Sequence, residues 1–444
     1  MAQPNFTIVW MGPLYEISGY GSVSRNFVKQ FVKIGANIRI IPIGRRDDSL
    51  IDQKTKNLLK DLLDTPIIGS VVLIFHGLPE SVSSYRFYGV SKLVVMSIFE
   101  TDSLPFNWKR ILNRKRTDEV WVPSDFHIES YVNGGVKRSK LRKVPYGIFD
   151  DEEPFKGRCD SKRFRFLYIS NLSPRTATSD LIEAFRQEFP YENDVELYLK
   201  ISSGNRIAMN KFLEKLTMYK DNRIIIDSNR MNENEIKSLI TSAGLYISLD
   251  RANGWGMPNM EAMRLGIPTA TVNWSGSTEF SNVTNSYLVE PTGTSEFVQS
   301  QTNSFPFFRL YLNQKWADFD IQTVKEIMRS AKEDKSRREK IIEAAYRTVN
   351  EKFNLETICA GVLSSFSNQF CQMPGRQAKF KVSMISDINR SIRNMFLDLE
   401  YAIRGFLKHG KDNPYMIRLR NRHITHFLNI FKHETRSEIP ETKN

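Results

Sequence analysis

The stretch GWGMPNMEAMRLGIP, residues 254 to 268, holds residue types that can do chemistry at a spacing that suits it. Gly254 and Gly256 bracket Trp255 and permit backbone conformations that other residues avoid. Pro258, after Met257, suits the first turn of a helix, where an amide hydrogen is not missed. The helix that opens there has free N–H groups at its start, and such an end attracts anions, phosphate above all. Glu261 falls in the first turn of that helix, where a carboxylate can accept hydrogen bonds from sugar hydroxyls. The stretch reads as a holder of a diphosphate and a ribose, or as a glycine-rich turn with a capping carboxylate; spacing alone leaves both open.

The elements that must position it are legible on either side. FTIVW, IRIIPI, VVLIF, LVVMSIF, EVWVPS and LRKVPYG in the first third are continuous, β-branched runs, as expected of parallel strands covered on both faces. Between the first two, SVSRNFVKQFVKIG carries Phe27, Phe31 and Ile34 on one helical face and ends at Gly35. A polar, turn-rich linker begins near Tyr146. A second series follows: FRFLYISN, VELYLKIS, NRIIIDS, GLYISLD, IPTATVNW and SYLVE. Two such series predict two doubly wound α/β domains, residues 1–150 and 151–371, with the helix-rich stretch from 322 to 370 completing the second. GLYISLD leads straight into the glycine loop, and strand C-termini are where such sheets bind ligands.

Residues 372–444 differ. Apolar positions from Val382 to Leu407 recur at helical spacing until Gly410 and Pro414 interrupt them, and a second basic, apolar segment follows. This predicts a basic helical extension that packs on the core, forms a homo-oligomer contact, or lies peripherally on an anionic membrane. The net charge of +13 favours anionic partners, whether nucleotides, phospholipid headgroups or nucleic acid. No run approaches the roughly 18 apolar residues of a membrane span, and MAQPNFTIVW is not a signal peptide. Cys159, Cys359 and Cys371 form neither a disulfide framework nor a zinc pattern and are expected to be reduced cytoplasmic thiols. The acidic run FDDEEPF reads as a solvated linker, so no metal is expected.

The glycine stretch resembles the donor-binding signature of glycosyltransferase family 4, a retaining group of the GT-B class. NGWGMPNMEAMRLGIP keeps that pattern except that Asn253 stands where members have a first Glu. VNWSGSTEF, with Gly276 and Glu279, resembles the following loop; ISNLSPRTATSDLIEAF puts Arg175 at a basic position, and VELYLKIS puts Lys200 at a strand end where members have a second cation. VWVPSDFHIESYVNGGV resembles the end of the first domain, and SGYGSVSRNF, with Gly19, Tyr20 and Gly21, its first glycine-rich loop. The likeness runs in order from about residue 5 to 370.

The resemblance implies a GT-B architecture: two Rossmann-like domains facing each other across a cleft, the first on the acceptor side and the second holding a nucleotide-sugar donor. It implies a retaining transfer of a hexose-type sugar to an unknown acceptor hydroxyl, on a glycan, a lipid-linked glycan or a protein, with the nucleotide sugar a co-substrate and no further cofactor. Arg175 and Lys200, with amides near Gly256 to Met260 and the loop at Gly19 and Gly21, are the expected replacements for a metal at the departing diphosphate. Asn253 implies either altered sugar choice or weakened activity. In the first domain His76 and Glu100 both follow apolar strands; Glu100 is the expected sugar-facing group, and His127 and the later histidines are expected at the surface. Trp10, Tyr15 and Trp108 read as core or acceptor groove. The other function classes are a GT-B protein that binds a nucleotide sugar or partner without turnover, and a nucleic-acid binder, which no recognised motif supports.

Overall fold

The computed structural model describes residues 5–149, 162–202, 209–210, 212–214, 220–296, 308–311, 313–370 and 379–384. All twelve predicted strands form. The first six are β1 (Phe6–Gly12), β2 (Ile38–Pro42), β3 (Ser70–His76), β5 (Lys92–Met96), β6 (Glu119–Val122) and β7 (Leu141–Lys143). They build a parallel sheet in the order β2-β1-β3-β5-β6-β7. Every residue of β1 is buried, which is why its sequence shows no alternation. The second sheet has β8 (Phe164–Asn171), β9 (Val195–Ser202), β10 (Ile224–Asp227), β11 (Leu245–Ser248), β12 (Thr269–Val272) and β13 (Tyr287–Val289), also parallel, in the order β10-β9-β8-β11-β12-β13.

These orders locate the ligand side. The strand sequence reverses direction between β1 and β3 in the first sheet, and between β8 and β11 in the second. Loops leaving such switch points diverge to opposite faces and open a crevice beyond the strand C-termini. The four loops concerned contain Gly12 to Gly19, His76 and Gly77, Leu172 to Arg175, and Asp250 to Gly256. Helix α1 (Gly19–Lys33) starts from the first of them, its N-cap Ser18 accepting from the Gly21 amide. Helices α2 (Gln53–Asp61), α3 (Pro79–Val82), α4 (Trp108–Leu112) and α5 (Asp125–Asn133) complete the first domain's main connections. In the second, α6 (Thr178–Glu188), α7 (Glu233–Thr241) and α8 (Met257–Arg264) follow β8, β10 and β11.

The final helices depart from expectation. Helix α9 (Ile321–Glu333) packs on α6 and joins the second domain's core, and α10 (Lys335–Lys352) follows it. Helix α11 (Leu355–Phe370) instead crosses back to the first domain. Its buried stripe Leu355, Cys359, Val362, Phe366 and Phe370 meets Phe6 of β1, and Phe366 stacks on Trp121 at 5.9 Å. Lys92 and Arg142 of the first sheet donate to Gln369 and Ser365. Burying two phenylalanines there is worth about 1.5–3 kcal/mol each, so the helix belongs where its apolar stripe finds cover.

An antiparallel pair, β14 (Pro291–Glu296) and β15 (Lys315–Phe319), forms an arm between β13 and α9 that the sequence reading missed. The chain divides into a large compact unit, residues 1–82 and 87–381, that includes both parallel sheets, and a small one, residues 83–86 and 382–444. The latter's described residues are 83–86 and 382–384; the short strands β4 (Tyr85–Tyr88) and β16 (Lys381–Met384) pair with each other. Val382, the first position of the expected helical pattern, is therefore in a strand; the rest of the predicted extension lies outside the described residues.

Candidate active site

Gly256 caps α8 with φ +89°, a left-handed conformation that glycine adopts without strain, so the helix starts at Met257 with Pro258 second. Glu261 is then the fifth helical residue. It lies in the second turn and not, as expected, the first, which keeps it clear of the open amides. Met257, Pro258 and Glu261 line an interdomain cleft of about 1290 Å³ together with Gly19 and Lys200. These five predicted residues share one cavity. Burial lowers the pKa of the Lys200 ammonium, an effect that Asp227 opposes, and the ammonium donates to the Asn229 carbonyl oxygen. Burial, reinforced by Glu233 and opposed by Lys237 and Arg264, pushes the Glu261 carboxyl up to about 7.

Glu100, Arg175 and Asn253 form a separate, largely buried cluster beside this cleft. Arg175 Nε lies 3.3 Å from Glu100 Oε1, and its Nη1 lies 3.5 Å from Asp250 Oδ1 and donates to the Ala252 carbonyl oxygen. Burial alone would lower the arginine's pKa, but Asp250 and then Glu100 hold it above the usual value. Two carboxylates thus accompany the guanidinium that the motif led us to expect beside a diphosphate. The Asn253 amide donates to Asp250 Oδ2 at 2.8 Å and accepts from the Trp255 N–H at 3.2 Å. A glutamate in its place would set a like charge against Asp250; the amide suits the site because it can donate. Ser275, held at φ +69°, has its hydroxyl 2.7 Å from the carbonyl oxygens of both Glu100 and Asn253, which share its one O–H donor, and so ties the two domains together.

Other predicted residues are positioned inward. Trp255 is 3% exposed and packs on Tyr146, Phe280 and Phe353, so its ring is core and not a donor contact. Tyr20 packs over His76 at 5.2 Å and donates to the Ile98 carbonyl oxygen at 3.3 Å. The glycines serve close approach: a Cβ at Gly276 would sit 1.8 Å from the Gly254 carbonyl oxygen, one at Gly21 2.0 Å from that of Glu16, and one at Gly254 2.9 Å from Ile98. His76 and His127 are fully buried, which corrects the surface position expected for His127. Burial holds both near a pKa of about 3, hence neutral, and Ser24 and Ser124 hydroxyls engage their Nδ1 atoms. Trp10, Trp108 and Tyr15 are core. Glu279 bridges the domains, accepting from the Asp125 amide and from Lys143.

Sequence reasoning missed Arg25, Asp250 and Tyr311. Arg25 is 5% exposed yet lines the cleft; its guanidinium donates to the carbonyl oxygens of Leu14 and Glu16 and pairs with Glu233 of the other domain at 3.3 Å. Asp250 ends the strand segment GLYISLD and was open to reading as a strand-end acid. Tyr311, on the arm, donates to Glu100 Oε1 at 2.5 Å and stacks on Phe99. Nothing periodic in the sequence marks the arm's path to that carboxylate. Among the described residues, no group of three or more His, Cys, Asp or Glu side chains is arranged to hold a metal ion.

The Glu261 environment gives a pH prediction. With a folded pKa of about 7 against an ordinary 4.5, the native state holds the extra proton between those values. Stability therefore falls as pH rises from 4.5 through about 7. Glu261→Gln removes this dependence and gives the higher Tm at pH 8 but not at pH 4. Affinity for a ligand whose hydroxyls donate to the carboxylate moves the opposite way, rising through pH 7 in the wild type and flat in the variant. Calorimetric titrations with a nucleoside diphosphate at three pH values, beside melting curves, check both; a pH-independent wild type sinks the prediction.

Comparison with known proteins places this geometry. Residues 149–300 match the family described as glycosyl transferases group 1. No curated protein matches the sequence. Among solved structures, HepE of Anabaena, crystallised with UDP and glucose, shares 14% identity and a TM-score of 0.59, covering 82% of this chain and 100% of its own. A glycosyltransferase from Rickettsia africae shares 15% identity and a TM-score of 0.57, covering 84% and 100%. Sucrose-phosphate synthase from Thermosynechococcus elongatus shares 13% and 0.57, covering 82% and 99%. At such identities the likeness is one of fold, and that fold is the GT-B architecture, two Rossmann-like domains across a cleft.

Proposed function

We propose that the protein is a retaining glycosyltransferase that moves a hexose-type sugar from a nucleotide diphosphate to an acceptor hydroxyl without a metal ion. The observation that carries this reading is one cleft shared by the open start of α8, Lys200, Glu261 and the Gly19 loop. Amides at the helix start and the Lys200 ammonium bind the diphosphate and stabilise the charge that grows on it as the bond to the sugar breaks. Glu261 accepts hydrogen bonds from the ribose. The acceptor oxygen bonds to the sugar's anomeric carbon on the face the diphosphate leaves, and its proton passes to a phosphate oxygen. Glu100, held by Arg175 and Tyr311, and the Asn253 amide orient the sugar. The group 1 match of the donor half supports this reading, and the UDP and glucose bound by HepE make UDP-glucose the first donor to try.

A second reading, a nucleotide-sugar binder without turnover, rests on Asn253 replacing an acid and on Arg175 being neutralised in place. A mass-spectrometric hydrolysis screen across UDP-, GDP- and ADP-sugars separates the two. Release of nucleoside diphosphate with free sugar supports the enzyme; a thermal shift with no product supports the binder; neither response removes both.

A further inference from the structure

Lys200 is not the only buried cation on the cleft wall; the first domain supplies another. Arg25 stands on α1, and its Nη1 donates back to the carbonyl oxygens of Leu14 at 3.2 Å and Glu16 at 2.8 Å, both in the loop between β1 and α1. These bonds pin the guanidinium beside the Gly19 loop. The residue is 5% exposed and lines the same cavity as Gly19, Lys200 and Glu261. A charge so placed needs an anion beside it.

The anion it has is loosely held. Nη2 lies 3.3 Å from Glu233 Oε1. A close charge-assisted bond runs to about 2.7–2.9 Å, and an arginine can grip a carboxylate or a phosphate with two nitrogens at once. The Glu233 side chain is 50% exposed against 5% for its partner, so water can take up the carboxylate but not the guanidinium. Glu233 opens α7 of the second domain, and the pair therefore spans the cleft. Two other acids of the cleft wall are engaged elsewhere: Glu16 Oε1 accepts from the Arg45 amide at 2.9 Å, and Asp47 Oδ2 from Arg230 at 2.6 Å. Glu233 is also close enough to Glu261 for its charge to help hold the proton there. The Arg25 pair thus adjoins the carboxyl read as the partner of a ribose.

We propose that Arg25 is an anion-binding residue of the cleft, whose Nη2 exchanges Glu233 for a phosphate oxygen of a nucleoside diphosphate. The inference rests on the nucleotide-sugar reading of this cleft and adds a grip from the first domain to that of Lys200 from the second. A diphosphate carries more charge and more acceptor oxygens than one carboxylate, and a half-exposed Glu233 returns to water at little cost. Nη1 keeps its two carbonyl oxygens throughout, so the glycine loop stays in place. Calorimetric titration of the full chain with UDP, GDP and ADP, and with the matching nucleosides, tests the exchange at a pH well above the Glu261 titration. The readout is the ratio of diphosphate to nucleoside affinity, in which contributions from base and ribose cancel. Arg25→Met lowers this ratio about 10- to 100-fold, the worth of a hydrogen bond to a charged group. Glu233→Gln raises it about two- to fivefold by removing the competitor. Placed on Arg25→Met, Glu233→Gln changes it less than about twofold, because no guanidinium is left to compete for. Opposite signs in the two single variants are incompatible with a purely structural bridge, in which both substitutions break one contact. If Arg25→Met does not fold, the sign of the Glu233→Gln change decides. A ratio that falls or stays level with Glu233→Gln, or rises equally without Arg25, overturns the inference and leaves the cleft reading standing. A wild type that binds no diphosphate more tightly than its nucleoside overturns both.

Discussion

Lys200→Met lowers kcat/KM for a turned-over nucleotide sugar by about 10²–10³-fold, with most of the loss in kcat, as expected for a fixed cation aimed at charge that develops in the transition state. Lys200 lies in the C-terminal part of β9, paired in register with Asp227 on one side and Ile169 on the other, so the sheet itself fixes where its stem begins. The residue is only 7% exposed, which makes its charge worth more than it would be in water. Methionine keeps the stem and removes the ammonium. Asp227 retains the Tyr198 hydroxyl at 2.8 Å and the Asn229 amide at 2.7 Å. Stability should therefore change by no more than about 1 kcal/mol. Steady-state kinetics with melting curves on the same samples tests both halves. Activity within about threefold of wild type would remove Lys200 from the phosphate site, and with it the main support for the cleft as the donor pocket.

The contrast between Lys200 and Arg175 shows what the sequence can and cannot specify. Both were assigned as cations by position in a motif. Lys200 reaches the cleft because a strand C-terminus is a rigid, predictable place. Arg175 lies within a 3₁₀ turn and has two carboxylates around it, one of them from the other domain, and no local pattern encodes that meeting. The sheets were legible for a simple reason: strands buried on both faces must be apolar throughout, and the sequence shows twelve such runs. The α8 loop was legible through its glycines, but the register of Glu261 was not, because the left-handed Gly256 sets the helix start one residue ahead of the proline. The route of α11 depended on which domain had an uncovered patch to match Phe366 and Phe370, and the arm that delivers Tyr311 depended on a turn whose contacts are all distant in sequence. Asn253 lies between these cases. Its identity was visible as a departure from the family pattern, and its reason became visible only with Asp250 beside it.

Arg175→Met, by the same reasoning, is first a stability variant. It strips the guanidinium from Glu100 and Asp250 and leaves two carboxylates facing each other with little water, since their side chains are 17% and 12% exposed. Removing one member of a buried charge pair costs about 3–5 kcal/mol, and residual solvent here favours the lower end. A fall in Tm of roughly 5–10 °C follows. The sign of the second substitution separates this account from simple loss of packing. Glu100→Gln placed on Arg175→Met removes one of the unpaired charges while keeping an acceptor for the Tyr311 hydroxyl, so the double variant should melt above the Arg175→Met single variant. Glu100→Gln alone, which leaves Arg175 with Asp250, should cost only about 1 kcal/mol. The cycle then gives a coupling of about 1–3 kcal/mol between the two side chains. Additive losses would mean that Glu100 and Arg175 do not share a charge balance, and Arg175 would again be free to meet a diphosphate, as the motif alone implied.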